Sequence, residues 1–514
     1  MSSSEMAKTK IGRVCLVGAG PGDPGLITVK GLQRIKEADV VVFDRLAGDW
    51  SFLETKEGCE VIYVGKAAAD HVMEQDKINE LLYLHAKSGS NVVRLKGGDP
   101  YVFGRGGEEA EYLVKRGIEI EVVPGVTSAL AGPLYAGIPV TYRGIASSFH
   151  VITGHRKNNE PDTTDYSTLA RLSGTLVFLM GLLNLDKIQS GLLENGMSEE
   201  TQVAIISEAT TPKQVTIVST LKEILNAVKK RPVPSPALIV IGEVVNLREY
   251  LSFYETKPLF SKNVVVTRAK NKTSELSNEL YEMGANVIEL PMIKIKKIID
   301  TERLKAVFAS FSQFEYVIFT SENGVRIFLD EIYALSYDAR IFSGKIICAI
   351  GRKTKEALLN YGLCADIVPL RGTSEGLWER LREEIKKEHR TLLVQAKNGR
   401  KYLSEALSKS CNLTEICPYE TIAEDREAER LKELIGSGQI DAITFTSSST
   451  VTNFLTHVSA EELRKNNVLL FSIGEITTKT IEDAGLNVCA ESENTDVRSL
   501  AIAVKNAFIK GERE

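Results

Sequence analysis

Short apolar runs rich in β-branched residues recur along the chain, with longer amphipathic stretches between them. VCLVG (14–18), VVVF (40–43), NVVRL (91–95), HVIT (150–153), TLVFLM (175–180) and ALIVIG (237–242) predict buried strands. Residues 108–115 and 221–230 predict helices between strands. Alternation of this kind marks an α/β protein. The polar, proline-containing stretch 156–165 predicts a loop, and 247–262 predicts a boundary between two halves.

The second half repeats itself. VVVTRAKN (264–271) echoes LLVQAKNG (392–399), FEYVIFTSENGVRIFL (314–329) echoes IDAITFTSSSTVTNFL (440–455), and KIICAIGRKTKEAL (345–358) echoes VLLFSIGEITTKTI (468–481). Three pairs in the same order predict two lobes built on one plan and facing each other across a cleft.

At 514 residues the chain holds roughly three to five folding units of ~100–200 residues each. Lys plus Arg total 63 against 68 Asp plus Glu, a net charge of −5. That balance gives no electrostatic footprint for nucleic acid or an anionic membrane, while leaving room for a locally basic pocket. No apolar run approaches the ~20 residues of a membrane span. The polar start, MSSSEMAKTKIG, lacks a secretion signal, so a cytoplasmic location is expected. Cys15, Cys59, Cys348, Cys364, Cys411, Cys417 and Cys489 are scattered without a C-x-x-C pair, which predicts reduced thiols and no metal site.

Three glycine-rich segments carry the candidate chemistry. VGAGPGDPGLITVKG (17–31) follows a strand and suggests a dinucleotide loop, with Asp44 after the next strand as its acid. The pattern fails at its third glycine, where Asp23 stands, and Pro21 and Pro24 stiffen the turn. A nicotinamide-linked oxidoreductase is therefore the weaker reading. RLKGGDPYVFGRGGEEAEYL (94–113) runs from a strand through paired glycines to a helix beginning near Glu108, and its Gly104–Gly107 turn suits an anion. VVPGVTSALAGPLYAGIPVTYRG (122–144) places Thr127 and Ser128 in the first turn of a helix, where capping explains the hydroxyls as well as binding does.

In series, these motifs resemble those of uroporphyrinogen-III C-methyltransferases of the tetrapyrrole methyltransferase family. The likeness covers 10–250 and includes VVFDRL, VGK, PGVTSA, YAGIPVT, VITGH, LVFLMG, TTPKQ and SPALIVIGEVV. It implies two α/β lobes, with a boundary near 122–145, a homodimer formed through this half, and S-adenosylmethionine (SAM) in the cleft. SAM contacts carried over are Pro21, Gly97, Gly98, Asp99, Val102, Thr127, Ser128, Met180 and Ala209. Asp44 is implied as proton acceptor and Lys66 as proton donor, with simple substrate holding the competing role for both. Arg105, Arg143 and His155 are candidate carboxylate partners. The sequence departs from the family at Ala69, usually glycine, and at Tyr142, usually histidine.

Residues 258–510 resemble uroporphyrinogen-III synthases through VVTRA, FTSENGV, AIGRKT, QAKNGR, PYETI, FTSSSTV and SIGEITTKTI. The expected fold class is therefore α/β, a two-lobed tetrapyrrole methyltransferase fold followed by a two-lobed α/β synthase fold. In the synthase half, 261–294 would pair with 421–508, and 295–420 would form the other lobe. The resemblance implies no cofactor here, tetrapyrrole substrates, and Tyr419 assisting loss of a hydroxyl. Arg268, Ser321, Asn323, Thr354, Thr446, Ser447, Ser448 and Thr477 are candidates for substrate carboxylates. Together the halves imply closure of hydroxymethylbilane to uroporphyrinogen III with ring D inverted, then methylation at C2 and C7 to precorrin-2 for siroheme or cobalamin. Two rivals stay open: a non-catalytic tetrapyrrole-binding second half, and methylation of a later tetrapyrrole.

Overall fold

The structure is a computed structural model that describes residues 11–44, 46, 55–56, 58–65, 73–154, 164–267, 275–290, 293–298, 300–423 and 428–511. The first sheet contains β1 (Arg13–Gly18), β2 (Val40–Phe43), β3 (Glu60–Tyr63), β4 (Val92–Lys96) and β5 (Glu119–Val123). Its order is β3-β2-β4-β1-β5 and every pairing is parallel. A parallel sheet is covered on both faces, so its central strands read as unbroken apolar runs. Val14, Leu16, Val17, Val41 and Val42 are accordingly fully buried.

The second sheet contains β6 (Phe149–Thr153), β7 (Thr175–Leu179), β8 (Gln202–Ser207), β9 (Val215–Thr220) and β10 (Ala237–Ile241), in the order β6-β7-β10-β8-β9. Only β6 and β7 pair in parallel; β10 runs antiparallel to both its neighbours. The carboxyl ends of β7 and β8 therefore flank the start of β10, with Leu179 opposite Leu238 and Ser207 opposite Ala237.

Beyond residue 262 come β11 (Asn263–Val266), β12 (Asn286–Glu289), β13 (Ile293–Lys297), β14 (Tyr316–Phe319), β15 (Ile346–Ala349), β16 (Arg390–Val394) and β17 (Asn412–Ile416). They are followed by β18 (Tyr419–Ala423), β19 (Ala442–Phe445), β20 (Leu469–Ser472) and β21 (Ala490–Glu491). One parallel sheet has the order β12-β11-β19-β20-β21 and another β15-β14-β16-β17, while β13 and β18 form an antiparallel ribbon. The chain thus leaves the first of these sheets, builds the second, and returns. The repeated FTS segments occupy matching places. Ser321 caps the helix Glu322–Ala334 after β14, and Ser447 caps Ser448–Leu455 after β19.

Several expected boundaries shift, most by one or two residues. β7 stops at Leu179 because Met180 turns out of the strand at φ 56°. The helix expected near Glu108 is Gly106–Val114, and that expected from 221 is Ile224–Lys230. The segment 247–262, expected as the boundary between the halves, is packed. It contains the helix Arg248–Leu251, and Tyr254 and Leu259 are fully buried.

The carboxyl edge of the first sheet is sealed by main chain. Gly20 and Gly98 exchange hydrogen bonds of 3.2 and 2.7 Å, and Ala19 N–H donates to the Lys96 carbonyl. A Cβ on Gly125 would lie 2.2 Å from the Gly98 carbonyl oxygen and 2.7 Å from Gly18 Cα. Main chain on two sides leaves no side chain to move aside. Gly125→Ala is therefore expected to cost about 2 kcal/mol or more, read as a lower unfolding temperature by calorimetry. An unchanged transition would contradict the close approach.

Candidate functional site

Most of the residues expected around SAM meet above that sealed edge. Pro21 follows the Gly20–Gly98 bridge. Gly98 adopts φ +67°, and a Cβ there would lie 3.8 Å from Thr127 Cα and Ser128 N, in the gap between the two segments. Asp99 braces this corner: one oxygen accepts from Gly125 N–H at 3.1 Å and the other from Tyr101 N–H at 2.8 Å. Thr127 caps the helix Ser128–Tyr135 by accepting from Ala129 N–H, so its hydroxyl already has a structural role. Val102 is exposed and Gly97 half-buried, packed against Leu46.

Asp23 explains why the first loop is no dinucleotide fingerprint. Its carboxylate accepts from Gly25 N–H at 2.7 Å and from the Tyr135 hydroxyl at 2.5 Å. Its own N–H donates to Thr210 Oγ1 at 3.1 Å, so this amide is taken up internally instead of facing a pyrophosphate. The same bond brings the Ala209–Thr210 turn after β8 onto the first loop. Burial and the adjacent Asp23 carboxylate push the Tyr135 phenol up, which keeps it a donor. Met180, half-exposed, sits at the end of β7 on the same edge of the second sheet as Ala209. These groups offer main-chain amides and carbonyls, small side chains and one carboxylate, a set that fits a folded nucleoside bearing an amino-acid tail.

Asp44 follows β2 and is held on both oxygens. Leu46 N–H donates to one at 3.1 Å, and Arg94 Nη2 to the other at 2.9 Å. Arg94 and Lys96 alternate on one face of β4, and both are buried. Glu109, at 0% exposure, closes the group: one oxygen accepts from Lys96 Nζ at 2.9 Å, Gln75 Nε2 at 3.0 Å and Arg94 Nε at 3.4 Å. The other oxygen has no hydrogen-bond partner among the described residues. Burial, with Arg94 alongside, pushes the Lys96 ammonium below its usual range, against the pull of Glu109.

The sequence reading missed this group. Its signal was two cations in a strand that should be apolar on both faces. Arg105 is exposed and paired with Glu108 at 2.6 Å, and Arg143 and Tyr142 are exposed. Lys66, Ala69, His155 and Arg268 lie outside the described residues. Among the described residues no group of three His, Cys, Asp or Glu side chains is placed to hold a metal ion.

In the second half, Ser321 and Ser447 have nearly the same backbone, φ −164° and ψ 156° against φ −166° and ψ 157°. Each accepts an N–H from its helix, Gly324 at 2.9 Å and Thr450 at 3.3 Å. They differ in the hydroxyl's other partner. Ser321 hydrogen-bonds the Tyr419 hydroxyl at 2.8 Å, whereas Ser447 meets Ser449 at 2.9 Å. Tyr419 is 5% exposed, and burial pushes its phenol up. Asn323, Thr446 and Ser448 are half-buried beside these caps, while Thr354 and Thr477 are buried in the first turns of Arg352–Leu359 and Glu475–Asp483. Both of those helices start at a glycine, Gly351 or Gly474, with no side-chain cap.

Two sequence families divide the chain. Tetrapyrrole (corrin/porphyrin) methylases match residues 13–225, and uroporphyrinogen-III synthase HemD matches 274–501. The porphyrin biosynthesis protein HemD of Ruminiclostridium josui is 35% identical over 94% of this chain and 96% of its own. The uroporphyrinogen-III C-methyltransferase of Methanocaldococcus jannaschii is 52% identical over 46% of this chain and 98% of its own. A crystal structure of uroporphyrin-III C-methyltransferase from Thermus thermophilus, complexed with S-adenyl homocysteine, is 42% identical. It covers 46% of this chain and all of its own, with a TM-score of 0.40.

The class is thus a fusion of two α/β tetrapyrrole-biosynthesis units. The chain belongs to the tetrapyrrole methylases through its first half and to the uroporphyrinogen-III synthases through its second, as both resemblances implied. Residues 226–273 lie in neither matched span.

The buried charge group yields a direct test. Glu109→Gln keeps the shape but leaves Arg94 and Lys96 balanced only by Asp44. We expect a loss of about 3 kcal/mol of stability in urea unfolding. A change under ~0.5 kcal/mol would mean that Glu109 is not the counter-charge.

Proposed function

We propose that this one polypeptide carries two successive activities. Its second half closes hydroxymethylbilane to uroporphyrinogen III with ring D inverted, and its first half methylates that product at C2 and C7 to give precorrin-2. The observation that carries the reading is the pairing, in one chain, of a main-chain-lined corner beside an ion-paired Asp44 with a repeated two-sheet unit in which one capped helix start, at Ser321, holds Tyr419. The proposed units are 10–250, divided near 122–145, and 258–510, with 261–294 and 421–508 in one lobe and 295–420 in the other. Supporting the last division, β11, β12, β19, β20 and β21 share one sheet, and β14 to β17 another.

SAM supplies a methyl already activated on a sulfonium. Pro21, Gly97, Gly98, Asp99, Val102, Thr127, Ser128, Met180 and Ala209 would hold it. The chain's own task is to orient the acceptor carbon, since alignment alone is worth several kcal/mol, and to accept the proton that the cationic macrocycle gives up elsewhere once the methyl is bonded. Asp44 takes that proton. Its side chain is 29% exposed, and Arg94 fixes its direction from behind. Lys66 returns a proton, and Arg105 and Arg143 offer charge to substrate carboxylates.

In the synthase, Tyr419 assists departure of the hydroxyl. Its buried phenol stays protonated at neutral pH and hydrogen-bonds Ser321 at the start of the helix Glu322–Ala334. Arg268, Asn323, Thr354, Thr446, Ser447, Ser448 and Thr477 bind acetate and propionate groups.

The same reading takes the protein as a cytoplasmic homodimer that binds no nucleic acid. Among the described residues, no helix is long and apolar enough to cross a membrane. Exposed Leu130 and Leu134, one turn apart on the helix Ser128–Tyr135, and Val29 support pairing through the first half.

Two variants of the full chain test the assignments. Asp44→Asn should bind S-adenosylhomocysteine as the native chain does while methyl transfer falls at least ~100-fold, so that unmethylated type III product accumulates. A native methylation rate would remove Asp44 from the proton step. Tyr419→Phe should slow consumption of hydroxymethylbilane about tenfold with SAM binding untouched. An unchanged rate would make Tyr419 purely structural.

A further inference from the structure

Thr210 is the most constrained residue near the proposed SAM site. It is β-branched yet adopts φ +68°, and it is fully buried. Such a conformation persists only where the surroundings over-determine it. Three partners do so here. Its N–H donates to Gln214 Oε1 at 2.8 Å, its Oγ1 accepts from Asp23 N–H at 3.1 Å, and its carbonyl accepts from the Tyr254 hydroxyl at 3.2 Å. The last partner comes from outside both matched family spans.

Tyr254 is 1% exposed and wedged between the halves. On one side its ring packs 4.7 Å from Tyr135, the residue that donates to the Asp23 carboxylate. Next to it, Glu255 accepts from Gln214, Thr216 and Arg248, and Arg248 also donates to the Ala136 carbonyl. On the other side Tyr254 packs 5.6 Å from Phe260, and its hydroxyl lies beside the buried hydroxyl of Tyr281, in the helix Glu275–Glu282 of the synthase half. Lys257 lies 5.1 Å over the Tyr254 ring and pairs with Glu282 at 4.0 Å. Leu259 N–H donates to the Met283 carbonyl at 2.9 Å.

We propose that Tyr254 is a positioning residue for methyl-donor binding: its hydroxyl holds the Ala209–Thr210 turn against the Asp23 loop, and Tyr281 of the synthase half holds Tyr254 in place. The inference rests on the reading of that corner as the SAM site. It makes the synthase half part of what shapes the methyltransferase's donor pocket, with no contact between Tyr281 and the donor.

Full-length Tyr254→Phe and Tyr281→Phe chains test this, with S-adenosylhomocysteine titrated by calorimetry and both activities assayed. Tyr254→Phe should weaken binding about tenfold and raise KM for SAM alike, with kcat of methylation within about twofold and hydroxymethylbilane turnover unchanged. Tyr281→Phe should shift binding in the same direction by a smaller factor. A merely structural role would leave the split between KM and kcat unmoved.

If the native chain binds S-adenosylhomocysteine and both variants match it within twofold, the inference is overturned and the site reading stands. If the native chain does not bind it, both fall. Should Tyr254→Phe fail to fold by circular dichroism, Tyr281→Phe decides alone. Weaker binding with intact synthase turnover supports the coupling, and native binding overturns it.

Discussion

Everything in the first half depends on main chain meeting main chain where β1, β4 and β5 end. Gly18 and Gly125 approach each other and the Gly98 carbonyl so closely that a methyl group on either has nowhere to go. That contact closes the sheet's carboxyl edge, where open α/β sheets place their ligands. Since the corner is built from backbone, it presents fixed amides and carbonyls in place of mobile side chains. Asp99 and Asp23 then spend their carboxylates bracing the corner, and the helix Ser128–Tyr135 starts from it. The polar chemistry lies to one side, in Asp44 and its arginine.

Two further constraints carry this corner into the rest of the molecule. Beneath Asp44, a buried group of two cations and a carboxylate fixes how its side chain points. Such a group costs desolvation, and its balance of charge is what makes it tolerable. Behind the Asp23 loop, a chain of phenols runs through Tyr135 and Tyr254 to Tyr281. Burial pushes all three phenols up, and Tyr135 and Tyr254 donate, to Asp23 and to the Thr210 carbonyl. The junction between the halves is thus packed core, with Leu259 at 0% exposure.

The strands were legible because burial on both faces writes an unbroken apolar run, as in Val40–Phe43 and Ala237–Ile241. Glycine segments at strand ends were legible because little else requires so many glycines, and the repeat showed the two synthase sheets. Pairings between distant residues were not. Nothing in the sequence ties Glu109 to Arg94 and Lys96, Ser321 to Tyr419 across 98 positions, or Tyr254 to Thr210 across 44. The stretch around Tyr254 is polar in composition and carries Pro258, so it reads as a linker. Only packing reveals that its aromatic residue is interior. Turn geometry was equally hidden, since Met180 and Thr210 are ordinary residues in left-handed conformations.

The central claim is that both activities reside in this chain. The most direct measurement supplies the purified full-length protein with freshly made hydroxymethylbilane and SAM, then resolves the products by isomer and mass. The account predicts type III material carrying two added methyl groups. Unmethylated type I material alone, the product of spontaneous closure, would contradict it.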